Sequence, residues 1–341
     1  SWHSWARRCC CAAARPGPWN ELMPAVTVPV NAARREQWVF GEQALLPTLA
    51  ARAGVELLHS LASTAPVWGR FRRVVTIHDL IYARFPEAHG GLRARGMRIL
   101  VPAAARRSQR IIAVSKSTRE DLIDVLHIDP DRIDVIPQGV RSAPPDPPSP
   151  AAEVRARFEL GDRQIVLSLS AKRPHKNLAV LIDALALIDA ERRPVLVIPG
   201  YPTWHEEELR RHARERGVAA DVRFPGWVEG HDVEDLWSVT AAFVFPSLYE
   251  GFGLPLLEAM ARGIPVAAAN ASSLPEVAGD AALLFDPRDA RAIAQATERL
   301  LRDPVEADRL RAAGRARVRE FSWRRTAELT LESYERTMSR A

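Results

Sequence analysis

The sequence of 341 residues contains little cysteine, little lysine and no long hydrophobic run. Its three cysteines, Cys9 to Cys11, are consecutive, and consecutive cysteines rarely pair with one another. The sequence holds no second cysteine cluster that could complete a zinc site. These absences argue against a disulfide-rich secreted domain and indicate the reducing cytoplasm.

No apolar segment approaches the ~18–20 residues that span a bilayer. The first residues, which include Arg7 and Arg8, lack the apolar core and cleavage pattern of a signal peptide. The net charge of +5 comes from basic residues spread along the chain, which permits contact with an anionic membrane but does not predict a nucleic acid partner. We therefore expect a cytoplasmic protein that can bind peripherally at the inner membrane face.

Almost all of the positive charge is arginine. Among 47 lysines and arginines, the only lysines are Lys116, Lys172 and Lys176. In a chain so poor in lysine each one is a candidate functional residue, and two of the three lie in one short loop.

Strand-like and helix-like segments alternate along two stretches of the chain, which is the pattern of parallel-sheet α/β units. Between them, residues 141–150 contain five prolines, which fit neither a helix nor an inner strand. The sequence therefore predicts two Rossmann-like domains facing each other across a cleft, with no strand recognisable before Ala25. The predicted divisions are an N-terminal domain at 1–143, a linker at 144–152, a C-terminal domain at 153–320 and a terminal helix at 321–341.

Two shorter signals bear on local structure. Ser117 and Glu120 have the spacing of a helix capping box. Asp129 and Asp131 are the only acid pair that resembles a metal-binding motif, and their proline-containing segment favours a turn instead. We therefore predict no metal site.

The stretch from Pro246 to Pro265 predicts a strand end, a tight loop and a short helix. Gly251 and Gly253 permit the loop, and the free N–H groups at the helix start can bind an anion. Glu250 and Glu258 flank that site. Carboxylates are better suited to neutral hydroxyls than to an anion, so this stretch predicts a phosphate with sugars on both sides, which is a sugar nucleotide.

A second loop, from Ser170 to Asn177, carries Lys172, Arg173 and Lys176 just before a predicted helix. Cations at a helix start oppose the helix dipole, and a bound diphosphate would explain their position. Each charge-assisted hydrogen bond to it contributes about 1.5–3 kcal/mol. The alternative is an exposed basic turn.

Two further residues follow predicted strands and face the predicted cleft. His78 can donate to a substrate oxygen or shuttle a proton, and its alternative is a structural histidine held by Asp79. The loop with Trp227 could hold a nucleobase through its backbone, but a buried tryptophan is favoured. A nicotinamide site is excluded, because Leu256 replaces the last glycine of that fingerprint and the next strand ends at Asn270 rather than at an acid.

Several of these motifs occur together in one order. They are Thr76-Ile-His78-Asp79, Arg173-Pro-His-Lys176-Asn177, the Glu250 and Glu258 pair, and Phe321-Ser-Trp323. From about Ala25 onward the chain resembles the retaining GT-B glycosyltransferases of family 4, in particular mannosyltransferase-like members. The resemblance implies the GT-B fold, no cofactor and no metal, a sugar nucleotide donor with GDP-mannose favoured, and a glycan or lipid-linked acceptor.

The resemblance also implies residue roles. Glu258 would bind the ribose, and His78 and Glu250, the predicted catalytic residues, would hold the transferred sugar. Lys176, assisted by Arg173, would neutralise the diphosphate. The terminal helix at 321–341 would cross back onto the first domain. The backbone amides implied in donor binding are those of Gly251, Phe252, Gly253 and Leu254.

Three functions remain open at this point. The leading one is a retaining transfer of a sugar, with mannose favoured. The second is a non-catalytic paralogue that binds a sugar nucleotide. The third is a glycoside hydrolase that would use Glu250 and Glu258 as its carboxylate pair, although such a pair should flank a glycosidic bond rather than an anion loop.

Overall fold

A computed structural model describes residues 11–13, 25–31, 34–86, 92–140 and 147–339. They form two α/β units, each built on a parallel sheet, which confirms the predicted two-domain fold class. The predictions for Cys9 and Cys10 and for most of the proline-rich segment fall outside the described residues. No helix within the described ranges is long and apolar enough to cross a membrane.

The N-terminal unit begins with a small parallel pair of strands, of which only the second was predicted from the sequence. β1 (Cys11–Ala13) pairs with β2 (Ala25–Thr27), whereas no strand was predicted before Ala25. A strand of three residues is too short for an alternating pattern to be recognised. Next come α1 (Arg35–Phe40), a π-helical turn (Gly41–Leu45) and α2 (Leu46–Arg52).

The main N-terminal sheet has four parallel strands in sequential order. Helices cover it, and its inner side chains, including Val75, Ile77 and Ile111, are fully buried. In chain order the elements are β3 (Leu57–Ser60), β4 (Arg72–Ile77), α3 (Ile81–Arg84), α4 (Leu92–Arg107), β5 (Arg110–Ala113), α5 (Lys116–Leu126) and β6 (Ile133–Val135).

Ser115, and not the predicted box of Ser117 and Glu120, caps helix α5. The Ser115 side chain accepts a hydrogen bond from the Thr118 N–H at 3.0 Å. Ser115 has the extended backbone of an N-cap residue, and the helix begins at Lys116. Ser117 therefore lies inside the first turn. Asp129 forms the predicted turn, since its carboxylate accepts from the Asp131 N–H at 2.9 Å.

The C-terminal unit is larger and has a six-stranded parallel sheet. Its central strands are wholly buried, as expected for a sheet covered by helices on both faces. In chain order its first elements are α6 (Ala151–Arg157), β7 (Ile165–Leu167), α7 (Leu178–Leu187), β8 (Val195–Val197), α8 (His205–Glu215), β9 (Val222–Arg223) and α9 (Gly230–Ser238). The remaining elements are β10 (Ala242–Phe245), α10 (Leu254–Ala261), β11 (Val266–Ala269), α11 (Leu274–Ala278), β12 (Ala282–Phe285), α12 (Ala290–Arg302), α13 (Pro304–Val318) and α14 (Trp323–Ser339).

The order of this sheet is β9-β8-β7-β10-β11-β12. The chain therefore winds outward in one direction from β7 and in the other direction from β10. Ligands of such sheets bind beyond the carboxyl ends of the strands at the point where the winding reverses. That point lies between the loops that follow β7 and β10.

Helix α14 leaves the C-terminal unit and packs on the N-terminal sheet. The Arg72 guanidinium donates to the Thr337 carbonyl at 2.6 Å, and the Ser333 hydroxyl donates to Asp134 at 2.7 Å. Where the helix begins, the Val140 N–H donates to the Phe321 carbonyl at 3.0 Å. A Cβ at Gly139 would collide with the backbone of Trp323, so glycine permits this close passage.

The contact between α14 and the sheet includes one half-buried histidine. The ring of His59 lies between the Tyr334 hydroxyl, 2.6 Å from Nδ1, and the Thr76 hydroxyl, 2.8 Å from Nε2. Burial, and then the nearby His78, lower the pKa of His59 to about 4.

We predict a stability loss on mild acidification that depends on His59. The unfolded chain takes up a proton near pH 6.5 while the folded chain does not until about pH 4, so stability falls as the pH falls through this window. Between pH 7.5 and 5 the wild type should lose about 1–2 kcal/mol more than His59→Gln in urea unfolding. The exposed-site variant His127→Asn should behave as the wild type, and equal pH dependence in all three would contradict the prediction.

Candidate active site

The two loops at the winding reversal of the C-terminal sheet are bonded to each other. The Leu248 N–H donates to the His175 carbonyl at 2.8 Å. The Asn177 side chain donates to the carbonyls of Pro246 at 3.1 Å and Pro287 at 2.6 Å. Asn177 also has a left-handed backbone, with φ of 58°, which Asn tolerates better than most residues. We call the loop after β7, residues 170–177, the basic loop and the loop after β10, residues 246–253, the glutamate loop. Together they form one wall of the candidate site.

An ion pair at the centre of this wall joins Lys176 and Glu250, two of the residues predicted to bind the sugar nucleotide. The Lys176 ammonium lies 2.5 Å from a carboxylate oxygen of Glu250, and both side chains are less than one-fifth exposed. In a partly desolvated setting such a pair holds both groups in place more firmly than it would at the surface. Arg173 lies in the same loop and is partly exposed.

Lys172, counted above with the cations of this loop, turns into the protein instead. It is fully buried, and its ammonium donates to the Gly200 carbonyl at 2.5 Å, with Glu206 at 3.8 Å. Burial lowers the pKa of Lys172 to about 8. The expectation of three cations facing a diphosphate is therefore reduced to Arg173 and Lys176.

The end of the glutamate loop and the first residue of α10, at residues 251–254, offer backbone N–H groups as hydrogen-bond donors, and we call this segment the glycine loop. Within the described residues, no acceptor is found for the N–H groups of the loop that runs from Gly251 to Leu254. Gly253 has φ of 102°, which is why glycine is required there. Ser273 donates to the carbonyl of Phe252 at 2.8 Å, so the carbonyls turn away and the N–H groups remain available. The Phe252 ring is buried against Phe321, 5.8 Å between centroids, so this residue can offer only its backbone.

Glu258 lies on α10, one turn into the helix. Its side chain is half-buried and, in the described part of the chain, makes no hydrogen bond or ion pair. Burial raises the pKa of Glu258, while Arg262 opposes and Glu234 reinforces this shift. A carboxylate in this state is ready to accept hydrogen bonds from a neutral diol.

The loops of the two domains meet at Gly251. A Cβ on this residue would collide with the carbonyl oxygen of His78 and lie 3.1 Å from Asp79. The Thr118 hydroxyl lies 3.2 Å from the Gly251 carbonyl and 3.3 Å from the His78 carbonyl. The structure therefore brings His78 to the glutamate loop, and only glycine permits this approach.

The ring of His78 is fixed by its own domain. Its Nε2 lies 2.7 Å from the Leu61 carbonyl, which can only accept, so Nε2 carries the proton. Its Nδ1 lies 3.3 Å from the Gln138 side-chain amide. Asp79 does not hold the ring, because Leu61 and Gln138 bond to its two nitrogens. The Asp79 carboxylate accepts from the Ile81 N–H instead. To contact a substrate, His78 must exchange one of these two hydrogen bonds.

A second contact across the cleft involves residues that the sequence analysis did not identify. The buried Tyr249 donates to Asp121 at 2.6 Å and accepts from the Leu80 N–H at 3.0 Å. Arg84 pairs with the same Asp121 at 2.5 Å. Tyr249 directly precedes Glu250, so this bond fixes the glutamate loop against the N-terminal unit.

A third contact across the cleft is made by Glu276. Its carboxylate accepts from the N–H groups of Lys116 at 3.1 Å and Ser117 at 3.3 Å, which are free donors at the start of α5. Sequence spacing could not reveal these partners, because they lie in different domains.

Trp227 corrects the expectation of a buried tryptophan. Its side chain is 52% exposed and stacks on Tyr201, with centroids 4.1 Å apart and planes at 21°. The two residues follow β9 and β8, the outer strands of the sheet, where less structure covers them. The pair therefore forms an open aromatic surface beyond the carboxyl ends of these strands.

Comparisons with known proteins agree with this geometry. The family described as "Glycosyl transferases group 1" matches residues 151–317, and "Glycosyltransferase Family 4" matches residues 9–144. O-antigen chain mannosyltransferase B of Escherichia coli is 34% identical over 268 residues, covering 77% of this chain and 70% of that protein. The chain belongs to the family 4 glycosyltransferases.

Other members of the glycosyltransferase family are also similar to the chain. D-inositol 3-phosphate glycosyltransferase of Frankia alni is 32% identical over 316 residues, covering 89% of this chain and 74% of that protein. Serotype-specific mannosyltransferase WbdA of Escherichia coli is 32% identical over 276 residues, but the chain spans only 34% of its length.

Solved structures support the GT-B fold of this glycosyltransferase. A glycosyltransferase from Rickettsia africae superposes with a TM-score of 0.74 at 18% identity, covering 97% of this chain and 90% of that one. Anabaena HepE in complex with UDP and glucose gives a TM-score of 0.75 at 19% identity, covering 98% and 93%. These likenesses establish the fold and leave the substrates to the site itself.

We predict that Tyr249→Phe destabilises the enzyme by about 1.5–3 kcal/mol, since it removes a hydrogen bond to a charged group and leaves a buried N–H without an acceptor. Urea unfolding measures this loss. The matched control is Tyr201→Phe, whose side chain is 57% exposed and which should change stability by less than about 0.5 kcal/mol. Equal stability of the two variants would contradict the contact across the cleft.

Proposed function

We propose that the chain is a retaining glycosyltransferase that moves mannose from GDP-mannose to a glycan or lipid-linked acceptor. The observation that carries this proposal is the Lys176–Glu250 pair at the winding reversal, beside open N–H groups and opposite His78. The preference for mannose rests on relatives named as mannosyltransferases.

The proposed donor site divides the sugar nucleotide among neighbouring groups. The diphosphate meets Lys176 and Arg173 together with the free N–H groups of the glycine loop, which act like a helix N-terminus. The ribose diol faces Glu258, whose carboxylate has no other partner in the described chain. Glu250 accepts hydrogen bonds from hydroxyls of the transferred sugar, and Lys176 turns from Glu250 towards the phosphate when the donor binds.

The proposed transfer proceeds on one face of the sugar. The bond from the anomeric carbon to the diphosphate oxygen breaks, and the acceptor oxygen bonds to the same carbon from the same side. The leaving phosphate oxygen takes the acceptor proton, so no enzyme nucleophile is required. Lys176 and Arg173 stabilise the charge that develops on the leaving group. The Nε2–H of His78 leaves the Leu61 carbonyl and donates a hydrogen bond to a sugar hydroxyl.

Charge neutralisation by side chains also suits a reaction without a metal ion, which we include in the proposal. Two cations and a helix start together offset the two negative charges of a diphosphate. For the acceptor, we propose a glycan or lipid-linked glycan met at the inner membrane face, with the basic surface in contact with anionic lipid.

Donor specificity and turnover test the proposed function directly. Among GDP, UDP and ADP, only the fitting nucleotide should raise the melting temperature by mass action, and we expect GDP. GDP-mannose with a mannosylated acceptor should then release GDP. A melting shift without any transfer would favour the non-catalytic paralogue, and hydrolysis of a simple glycoside without a nucleotide would overturn the assignment.

We predict that Lys176→Ala lowers kcat/KM about 10–100-fold, the contribution of one charge-assisted contact to the leaving diphosphate. Steady-state transfer assays measure the change. Arg211→Ala removes one charge from an exposed side chain in the same unit and should retain wild-type kcat/KM. A less than twofold effect of Lys176→Ala would remove this residue from the site.

A further inference from the structure

A pocket lined by arginines lies at the edge of the N-terminal sheet where its strands begin, opposite the edge that faces the candidate active site. Its volume is about 320 Å³, at the small end of ligand pockets. Four segments supply its arginines, namely the end of α4, the start of β5, the turn before β6 and helix α14. The arginines are Arg106, Arg107, Arg110, Arg132 and Arg336, and we call this site the arginine pocket.

The arginine pocket is too far from the candidate active site to contact the proposed sugar nucleotide. Arg110 is the first residue of β5 and pairs in register with Val74, whereas Ala113 at the other end pairs with Ile77, just before His78. Three residues of strand separate the two edges by about 10 Å. Any ligand of this pocket therefore binds apart from the cleft.

The positive charge of the pocket exceeds what the described structure neutralises. Asp134 accepts from two of the three side-chain nitrogens of Arg110, at 2.6 and 2.5 Å, and pairs with Arg336 at 3.0 Å. Arg336 also lies 3.8 Å from Glu332. The side chains of Arg106 and Arg107 make no hydrogen bond or ion pair with any described residue. None of the residues that line the pocket is acidic.

The end of α4 does not account for this excess. The helix dipole contributes only about −0.5 of a charge there. Arg132 already donates to two of the terminal carbonyls, those of Ala105 at 3.0 Å and Arg106 at 3.1 Å. The charge of Arg107 also acts on the neighbouring Arg73. Burial is the main cause that lowers the pKa of Arg73, and Arg107 is the second. No described acidic side chain therefore neutralises the guanidinium groups of Arg106 and Arg107.

We propose that the arginine pocket binds the phosphate group of an anionic ligand, either a free phosphate compound or a phospholipid headgroup. Guanidinium groups bind phosphate oxygens in pairs, and a phosphate carries enough charge and acceptors for several of them. Because α14 forms one wall, a bound phosphate links the terminal helix to the N-terminal sheet.

The test uses inorganic pyrophosphate in calorimetric titration. The background is Arg173→Ala with Lys176→Ala, which removes the cations of the proposed donor site. We expect binding in this background and at least a tenfold weaker affinity when Arg106→Ala and Arg107→Ala are added. Adding Arg211→Ala and Arg214→Ala instead removes the same charge from side chains that are 64% and 58% exposed, and should preserve the affinity.

Vesicles distinguish the two sources of phosphate. The measurement is co-sedimentation with phosphatidylcholine vesicles that contain phosphatidylglycerol. If the ligand is a headgroup, the double variant Arg106→Ala with Arg107→Ala no longer sediments with these vesicles, whereas the Arg211 and Arg214 control still does. If the ligand is free, sedimentation is unchanged while pyrophosphate affinity falls. The proposal is overturned if neither measurement separates the two double variants. Glycosyl transfer to a soluble acceptor, measured on Arg106→Ala with Arg107→Ala, should equal wild type, so this outcome is independent of the proposed function.

Discussion

The reversal of winding between β7 and β10 is the constraint on which the C-terminal unit depends. Adjacent parallel strands whose helices leave on opposite faces must leave a gap between their following loops. Here the gap is bordered by the loop with Lys176 and the loop with Glu250, and backbone bonds join the two loops. The chemistry of the wall follows from this, because one loop supplies cations and the other supplies carboxylates and free N–H groups.

The N-terminal unit acts on this wall through three contacts. Gly251 lies against the His78 carbonyl, Tyr249 bonds to Asp121, and Glu276 accepts from the start of α5. All three originate in or next to the segments that would hold the donor. The position of the loops proposed to bind the donor is therefore coupled to the distance between the two domains.

The sequence predicted the parts of this structure that depend on local pattern. The alternation of strand-like and helix-like segments predicted the two α/β units, and the glycines around Gly253 predicted the loop before α10. The inward turn of Lys172, the exposed stack of Trp227 and the bonds that fix His78 were not predictable in this way. Each depends on a partner distant in sequence, such as Gly200, Tyr201 or Leu61, and no spacing rule encodes such a partner.

The passage of Gly139 beside Trp323 has a mechanical consequence. The described segment at Gly139 and Val140 lies against the segment that leads into α14, and the bond from Val140 to Phe321 joins the two. A joint at this point lets the domains rotate about it more easily than slide apart, because sliding would break the bond from Val140 to Phe321. Opening of the cleft should therefore be largest at the edge far from Gly139.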